Sequence, residues 1–392
     1  MNTRPLDNRP ARATDPALLP IFGADRGYST EGDVLVNKTA DGVDLNTIWS
    51  EVAAGLSLYN KERSAVASLL SYPTIAKADA VPQSIFDDSF QIASEFGEPE
   101  GIAASADALR LGYDFDDYDL ATRFTWKFLR DATAEQVYSV VNRTVAADNK
   151  NVTTKILDRL FNPDERYNED GVRVFGLWTG DDGITPPPYL GKTFPATESH
   201  YLTSESADLD SADIEDLIRK VNSKGYGRQA GTQLLILANP DESEQIQGWR
   251  AGEESRAGGP LAKHSFIPSA SAPAYLQPEN IVGQVAPGEY GGLPVAGSYG
   301  PAWLIESEFI PAGYVTVVAT GGPNSERNPV AFRQHSNAAY QGLRMIPGRD
   351  QRYPLQDSFF SRGFGTGVRH RGAAAVLQVT TSTDYTAPSL RW

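Results

Sequence analysis

Hydrophobic positions along this chain change their spacing several times, and each change marks an element. Over 44–71, Leu45, Trp49, Val52, Leu56, Tyr59, Val66 and Leu70 recur at intervals of three, four or seven, which places them on one helical stripe. Asp44 is the expected N-cap. Tyr72-Pro73 ends the helix, because a residue before proline is pushed out of the α region. Over 73–105 the pattern is broken by Pro73, Pro82, Gly97, Pro99 and Gly101, and FGEPEG reads as a hairpin tip. The spacing then shortens to two, at Leu109, Leu111, Tyr113 and Phe115, and again at Tyr118, Leu120, Phe124, Trp126 and Phe128. Alternation rich in aromatics predicts two strands, each with one apolar face.

The helical period returns in TAEQVYSVVNRTVAADNKNVTTKILDRLF. Val137, Val141, Val145, Val152, Ile156 and Leu160 share a face that Asp148 interrupts. Thr133 and Gln136 fit a capping box, and Asn162-Pro163 ends the run. From Ala134 to Phe161 such a helix is roughly 42 Å long. Beyond it, 163–210 reads as loops and hairpins, with GDDG and the rigid Pro186-Pro187-Pro188. A short helix starts near Ala212 with Ile214, Leu217, Ile218 and Val221 inward and Gly225 as its stop. QLLILANP is a buried strand followed by a brief helix. Residues 251–300, rich in Gly, Ser, Ala and Pro, read as long surface loops. AWLIESEFIPAGYVTVVAT gives two strands around Pro311-Ala312-Gly313, and GVRHRGAAAVLQV a small-residue strand suited to a sheet interior. Residues 1–43, broken by Pro5, Pro10, Pro16 and Pro20, read as an irregular arm. The fold class is α+β.

Composition narrows the function. With 392 residues and 40% hydrophobic positions, the chain can build a sizeable core. The absence of Cys excludes disulfides, thiolate metal sites and cysteine nucleophiles. The first twenty residues lack the apolar segment of a signal peptide, and no apolar run reaches the roughly 18 residues of a membrane span. The expectation is a soluble protein made in the cytoplasm. A net charge of −15 opposes non-specific nucleic-acid binding, so any enclosed DNA would meet a wall and not a glue. His200, His264, His335 and His370 are far apart and read as structural or surface residues. Gly225-Tyr-Gly227 and Gly363-Phe-Gly365-Thr-Gly367 read as turn glycines and not phosphate loops. GSYG at 297–300 lacks the first glycine of a nucleophile elbow. Asp114, Asp116, Asp117 and Asp119 read as a solvated turn between strands, and nothing selects a catalytic carboxylate pair. No catalytic residue, metal or cofactor is expected.

Charge is unevenly spread. Residues 73–128 carry 11 Asp/Glu against 4 Lys/Arg, whereas 325–371 carry 8 Arg and no Lys against 3 acids. Arginine suits bidentate pairing with carboxylates across an interface. The acidic extended segment is therefore expected to lie on the Arg-rich segment, within or between subunits. The candidate interface residues are Asp114, Asp116, Asp117 and Asp119 against Arg344, Arg349 and Arg352. The alternative is two independent solvated faces.

The order of parts is arm, acidic extended loop, long helix, compact α/β region, Gly/Pro-rich loops and small-residue final strand. It resembles the Hong Kong 97-type major capsid protein of tailed phages. TRFTWKFLRDATAEQV, YGGLPVAGSYGPAWLIESEFIPAGYVTVVAT and RGFGTGVRHRGAAAVLQV resemble capsid proteins of actinobacteriophages in particular. The resemblance implies an N-terminal arm with helix at 1–72, an extended loop and strand at 73–128 and a peripheral domain at 129–224 with its spine helix at 134–161. An axial domain at 225–340 and a return to the peripheral domain at 341–392 complete the chain. It implies a non-enzymatic subunit that assembles as hexamers and pentamers into an icosahedral virion shell around double-stranded DNA. Assembly would occur in the host cytoplasm, with portal, scaffold and decoration proteins as further partners and no membrane. Some relatives cross-link through a loop Lys and a partner Asn. Lys77 is the sole Lys between 73 and 126, and no partner is matched to it. The competing readings are an encapsulin-type compartment shell and, from another class, a soluble carboxylate-dependent hydrolase.

Overall fold

The computed structural model describes residues 38–61, 64–82, 108–180, 185–186, 192–271, 285–347 and 355–390. Two mixed sheets and six helices organise them: α1 Leu45–Tyr59, α2 Ala65–Leu70, α3 Trp126–Asp131, α4 Ala134–Phe161, α5 Ser211–Ser223 and α6 Pro240–Gly248. The larger sheet has seven strands in the order Tyr201–Thr203, Ala374–Gln378, Tyr314–Thr320, Gln233–Ala238, Ala302–Glu306, Gly297–Tyr299, Phe266–Pro268. Its central strand is buried along almost its whole length, as the unbroken run LLILA requires. Leu235, Leu237 and Val318 face Ile156, Leu157 and Leu160 of α4. Leu234, Ile236 and Val317 face Leu217 and Val221 of α5 and Ile246 of α6. The sheet is thus covered on both sides.

The five-stranded sheet is built on Leu355–Val368. That strand pairs antiparallel with Asp116–Thr125, Arg344–Pro347 and Val330–Gln334, and Ser71–Thr74 lies parallel to the last of these. Phe124 and Phe360 pack with Val137 and Val141 of α4 and with Ile48, Val52 and Leu56 of α1. The first half of α4 therefore lies on one sheet and its second half on the other. It spans the molecule as a spine, with Gln136 accepting from the Thr133 amide at 3.0 Å at its start.

Several expectations needed correction. The helix read over 44–71 is two helices. Ser64 caps α2, its hydroxyl accepting from Ala67 N at 3.3 Å, and the Asn60 amide is tied to the backbone of Leu343 by two bonds of 2.8 Å. These side-chain bonds compete with the helical ladder between α1 and α2. The second aromatic run is strand only to Thr125, whose hydroxyl caps α3 by accepting from Phe128 N at 3.1 Å. The two strands expected on either side of Pro311-Ala312-Gly313 are present, at Ala302–Glu306 and Tyr314–Thr320, with Gln233–Ala238 lying between them in the sheet. Residues 251–300 are not only loops: Phe266–Pro268 and Gly297–Tyr299 extend the seven-stranded sheet, and Tyr299 is fully buried. The extended hairpin pairs Ala78–Pro82 with Ala108–Gly112; its FGEPEG tip lies outside the described residues.

Candidate assembly interface

The root of the hairpin is held by a dense polar clamp. Tyr113 is buried where the second strand ends. Its hydroxyl donates to Asp79 Oδ2 at 2.6 Å and lies 3.1 Å from the Tyr72 hydroxyl. Burial, with Tyr72 beside it, pushes the Tyr113 phenol far up, so it stays a donor. Arg369 approaches Asp79 at 3.6 Å and lies over the Tyr72 ring. Arg333 donates to the Tyr113 carbonyl at 2.9 Å and forks onto Glu169, holding that carboxylate down at about 2. Lys77 sits 3.2 Å from Asp170 and 3.5 Å from Glu169, and the hydrogen bond to Asp170 raises its pKa.

Leaving the hairpin, the chain crosses the strand Leu355–Val368 at Gly363, Gly365 and Gly367. These are strand residues, a correction of the turn reading, and they share one face. A methyl group at Gly367 would lie 2.8 Å from the Gly112 carbonyl oxygen. At Gly363 it would lie 2.8 Å from the Phe115 ring, and at Gly365 it would run into the Asp114 carbonyl. The glycines form a track that lets the hairpin's exit lie directly on the sheet. By contrast Gly225 and Gly227, with φ of 86° and 76°, are turn glycines as expected.

The candidate acids follow immediately. Asp114 is half-buried and accepts from the Thr366 amide; burial raises its pKa despite that bond. Asp116, Asp117 and Asp119 are exposed but head a strand opposite Phe364, Gly363 and Ser361, so they are not a solvated turn. Arg344 also stands opposite Ser361, from the other side, with its guanidinium 4.8 Å from the Tyr340 ring centroid. Asp119, Ser361 and Arg344 form one row across three strands. Among the described residues no hydrogen bond or ion pair joins Asp119 to Arg344, whose guanidinium packs on Tyr340 instead. Arg349 and Arg352 lie outside the described residues. The acidic and Arg-bearing strands of one chain thus flank the same strand without this pair of charges meeting.

The next row on that face escaped the sequence reading. Ala121 opposes Phe359, which opposes Ile346, and all three are exposed, Phe359 at 41% and Ile346 at 48%. The opposite face of the same strands carries Phe124 and Phe360 into the core. The strand Leu355–Val368 would have revealed the row, but its glycines and serines obscure the alternation.

Among the described residues no group of three or more His, Asp or Glu is placed to hold a metal ion, and no helix is long and apolar enough to cross a membrane. His200 is a core residue. Its Nδ1 lies 2.7 Å from the Ala374 carbonyl, and burial pushes it down to about 4. His370 lies 2.9 Å from the Glu326 carbonyl.

No protein-family model and no curated protein matches the chain. Among solved structures, a protein of Mycobacterium phage Patience is 37% identical over 94% of this chain and 97% of that one, with a TM-score of 0.70. More distant are the capsid of an empty GTA particle and the holo-SrpI encapsulin complex from Synechococcus elongatus. The first is 12% identical over 81% of this chain and 91% of that one, with a TM-score of 0.46. The second is 13% identical over 83% and 89%, with a TM-score of 0.43. Likenesses that remote do not separate one kind of shell from another. The phage Patience protein matches along nearly the whole of both chains, so this chain belongs to the tailed-phage major capsid proteins of the Hong Kong 97-type fold, resembles those of actinobacteriophages, and is a shell subunit that self-associates in the virion.

Proposed function

We propose that the protein assembles as hexamers and pentamers into a closed icosahedral shell around phage double-stranded DNA. Assembly takes place in the host cytoplasm with scaffold and portal proteins, and decoration proteins bind outside. The five-stranded sheet with α4 serves as the peripheral domain and the seven-stranded sheet as the axial one, so the expected bounds shift: Tyr201–Thr203 and Ala374–Gln378 go with the axial sheet and Val330–Gln334 with the peripheral one. The observation that carries this reading is the identity of 37% with the phage Patience protein over 94% of the chain. The geometry supports it in two ways. The clamp at Tyr113, Asp79 and Arg333 fixes the direction in which the hairpin leaves the body. The outer sheet face offers an apolar row, Ala121, Phe359 and Ile346, beside Asp119 and Arg344, the mixture expected of a surface that meets another subunit. Asp114, Asp116, Asp117, Asp119, Arg344, Arg349 and Arg352 belong to that contact zone.

Expression of the full chain, alone and with a scaffold protein, followed by light scattering and negative-stain microscopy, tests the reading. Closed particles of megadalton mass are the expected outcome. A chain that remains a monomer or small oligomer under both conditions overturns it. Phe359→Asp is expected to abolish particles while leaving the circular dichroism spectrum unchanged.

A further inference from the structure

The apolar stripe of α4 is broken at Asp148, four residues before Val152 and seven after Val141, where the helical period calls for a hydrophobic side chain. The strand Leu355–Val368 carries a matching anomaly. Arg362 shares the core-facing side of that strand with Phe360 and Phe364, both 1% exposed. These two misplaced charges meet. An Arg362 Nη1 donates to Asp148 Oδ2, and the side chains are 9% and 6% exposed. Tyr59, the last residue of α1, donates its hydroxyl to the same oxygen at 2.9 Å. The Arg362 guanidinium also faces the rings of Phe332 and Phe364 at 5.9 and 6.0 Å. Beside it, Tyr59, Asn60, Ser64, Asn149 and Gln334 help line a small cavity of about 20 Å³, room for about one water molecule, and the pair's own burial keeps solvent screening weak.

A buried ion pair is weak evidence for stability, because the desolvation of both charges offsets their attraction. Its strength is selectivity. Valines on α4 could slide along the sheet by a helical turn, about 5.4 Å, and find other apolar partners. Asp148 could not, since a shift leaves it, Arg362 and the Tyr59 hydroxyl buried without partners. We propose that Tyr59, Asp148 and Arg362 form a register lock. It fixes the spine helix and the end of α1 at one position on the five-stranded sheet, and it serves uniqueness of geometry and not stability. In a shell this matters because a small offset in each subunit is repeated in every copy; that consequence rests on the assembly reading above.

Two variants of the full chain test the lock. Asp148→Asn leaves Arg362 buried without its counter-charge and is expected to lower the melting temperature by roughly 5–10 °C. Melting like the parent overturns the proposal. The triple variant Y59F/D148L/R362M replaces the whole constellation by apolar groups. It is expected to melt within about 2 °C of the parent or higher, to show faster amide exchange across 141–156, and to assemble into particles of mixed diameter. A triple variant that melts as low as D148N shows a purely stabilising role. One that exchanges like the parent and closes into uniform shells shows a dispensable pair. Either overturns the lock. If the parent itself never forms particles, the assembly reading fails while melting and exchange still judge the lock.

Discussion

At Gly365 the hairpin's exit lies so close to the sheet that a single added methyl group meets the Asp114 carbonyl, a backbone atom that cannot swing aside. Gly365→Ala is therefore expected to lower stability by about 3 kcal/mol, the upper range for overpacking, measured by urea denaturation. Gly55 is the matched control. It lies on the exposed side of α1, and a methyl group added there would meet nothing within 4 Å, so Gly55→Ala is expected to raise stability by about 0.8–1 kcal/mol through helix propensity alone. Equal effects at the two sites would remove the idea of a glycine track. At this scale the sequence was least legible. Three glycines alternating with Phe, Thr and Val resemble turn material, and only the crossing segment 112–117, some 250 residues earlier, explains why side chains are excluded there.

Elements were more legible because their signals are local. The spine helix and α5 follow from apolar period and flanking residues, since burying one stripe of a long helix needs no knowledge of the partner. The exceptions are informative. Asp148 looked like a flaw in the stripe because its partner Arg362 is 214 residues away. The break between α1 and α2 depends on Leu343, more remote still at 283 residues from Asn60. Element-level electrostatics give a pH prediction around α5. Asp213, in a capping box with Asp210 and near Arg256 and Asp216, is pushed up to about 7, mainly by burial. A carboxyl whose folded pKa is raised binds its proton more tightly in the folded state, so its contribution grows as pH falls through 7. His200 acts oppositely. Burial holds it near 4, so stability is lost as pH falls from about 6.5 toward 4. The melting temperature is expected to rise between pH 8 and 6.5 and then to level off. Asp213→Asn should flatten the upper slope, worth on the order of 1 kcal/mol, and melt higher than the parent at pH 8. An unchanged slope in calorimetry would count against the assignment.

On the scale of the whole molecule, the order of elements carried the family and the fold, whereas the contact between charged segments was the part a single sequence could not resolve. Residues 83–107 carry six acids, Asp87, Asp88, Glu95, Glu98, Glu100 and Asp107, and no Lys or Arg. The Arg-bearing strand lies in the same sheet as Asp119 of its own chain, yet among the described residues Arg344 and Asp119 form no ion pair. The remaining candidate arginines, Arg349 and Arg352, lie outside the described residues. Arg344 is a poor probe, because its guanidinium packs on Tyr340 and its Nε is buried, so reversing it would disturb the chain itself. The informative variant is Arg349→Glu with Arg352→Glu. If the acidic segment of one subunit meets these arginines on the next, the double reversal should cost assembly and leave the melting temperature of the unassembled chain within about 2 °C of the parent. Sedimentation velocity would then show subunits in place of particles. Exposed attraction of this kind also weakens with salt, since the screening length falls from about 10 Å at 0.1 M to about 3 Å at 1 M. Parent assembly should therefore slow as salt is raised, and that dependence should be smaller in the double variant. Parent and variant that assemble alike at every ionic strength would mean that the acidic and Arg-rich segments are independent solvated faces, and that the apolar row at Phe359 and Ile346 accounts for the contact without them.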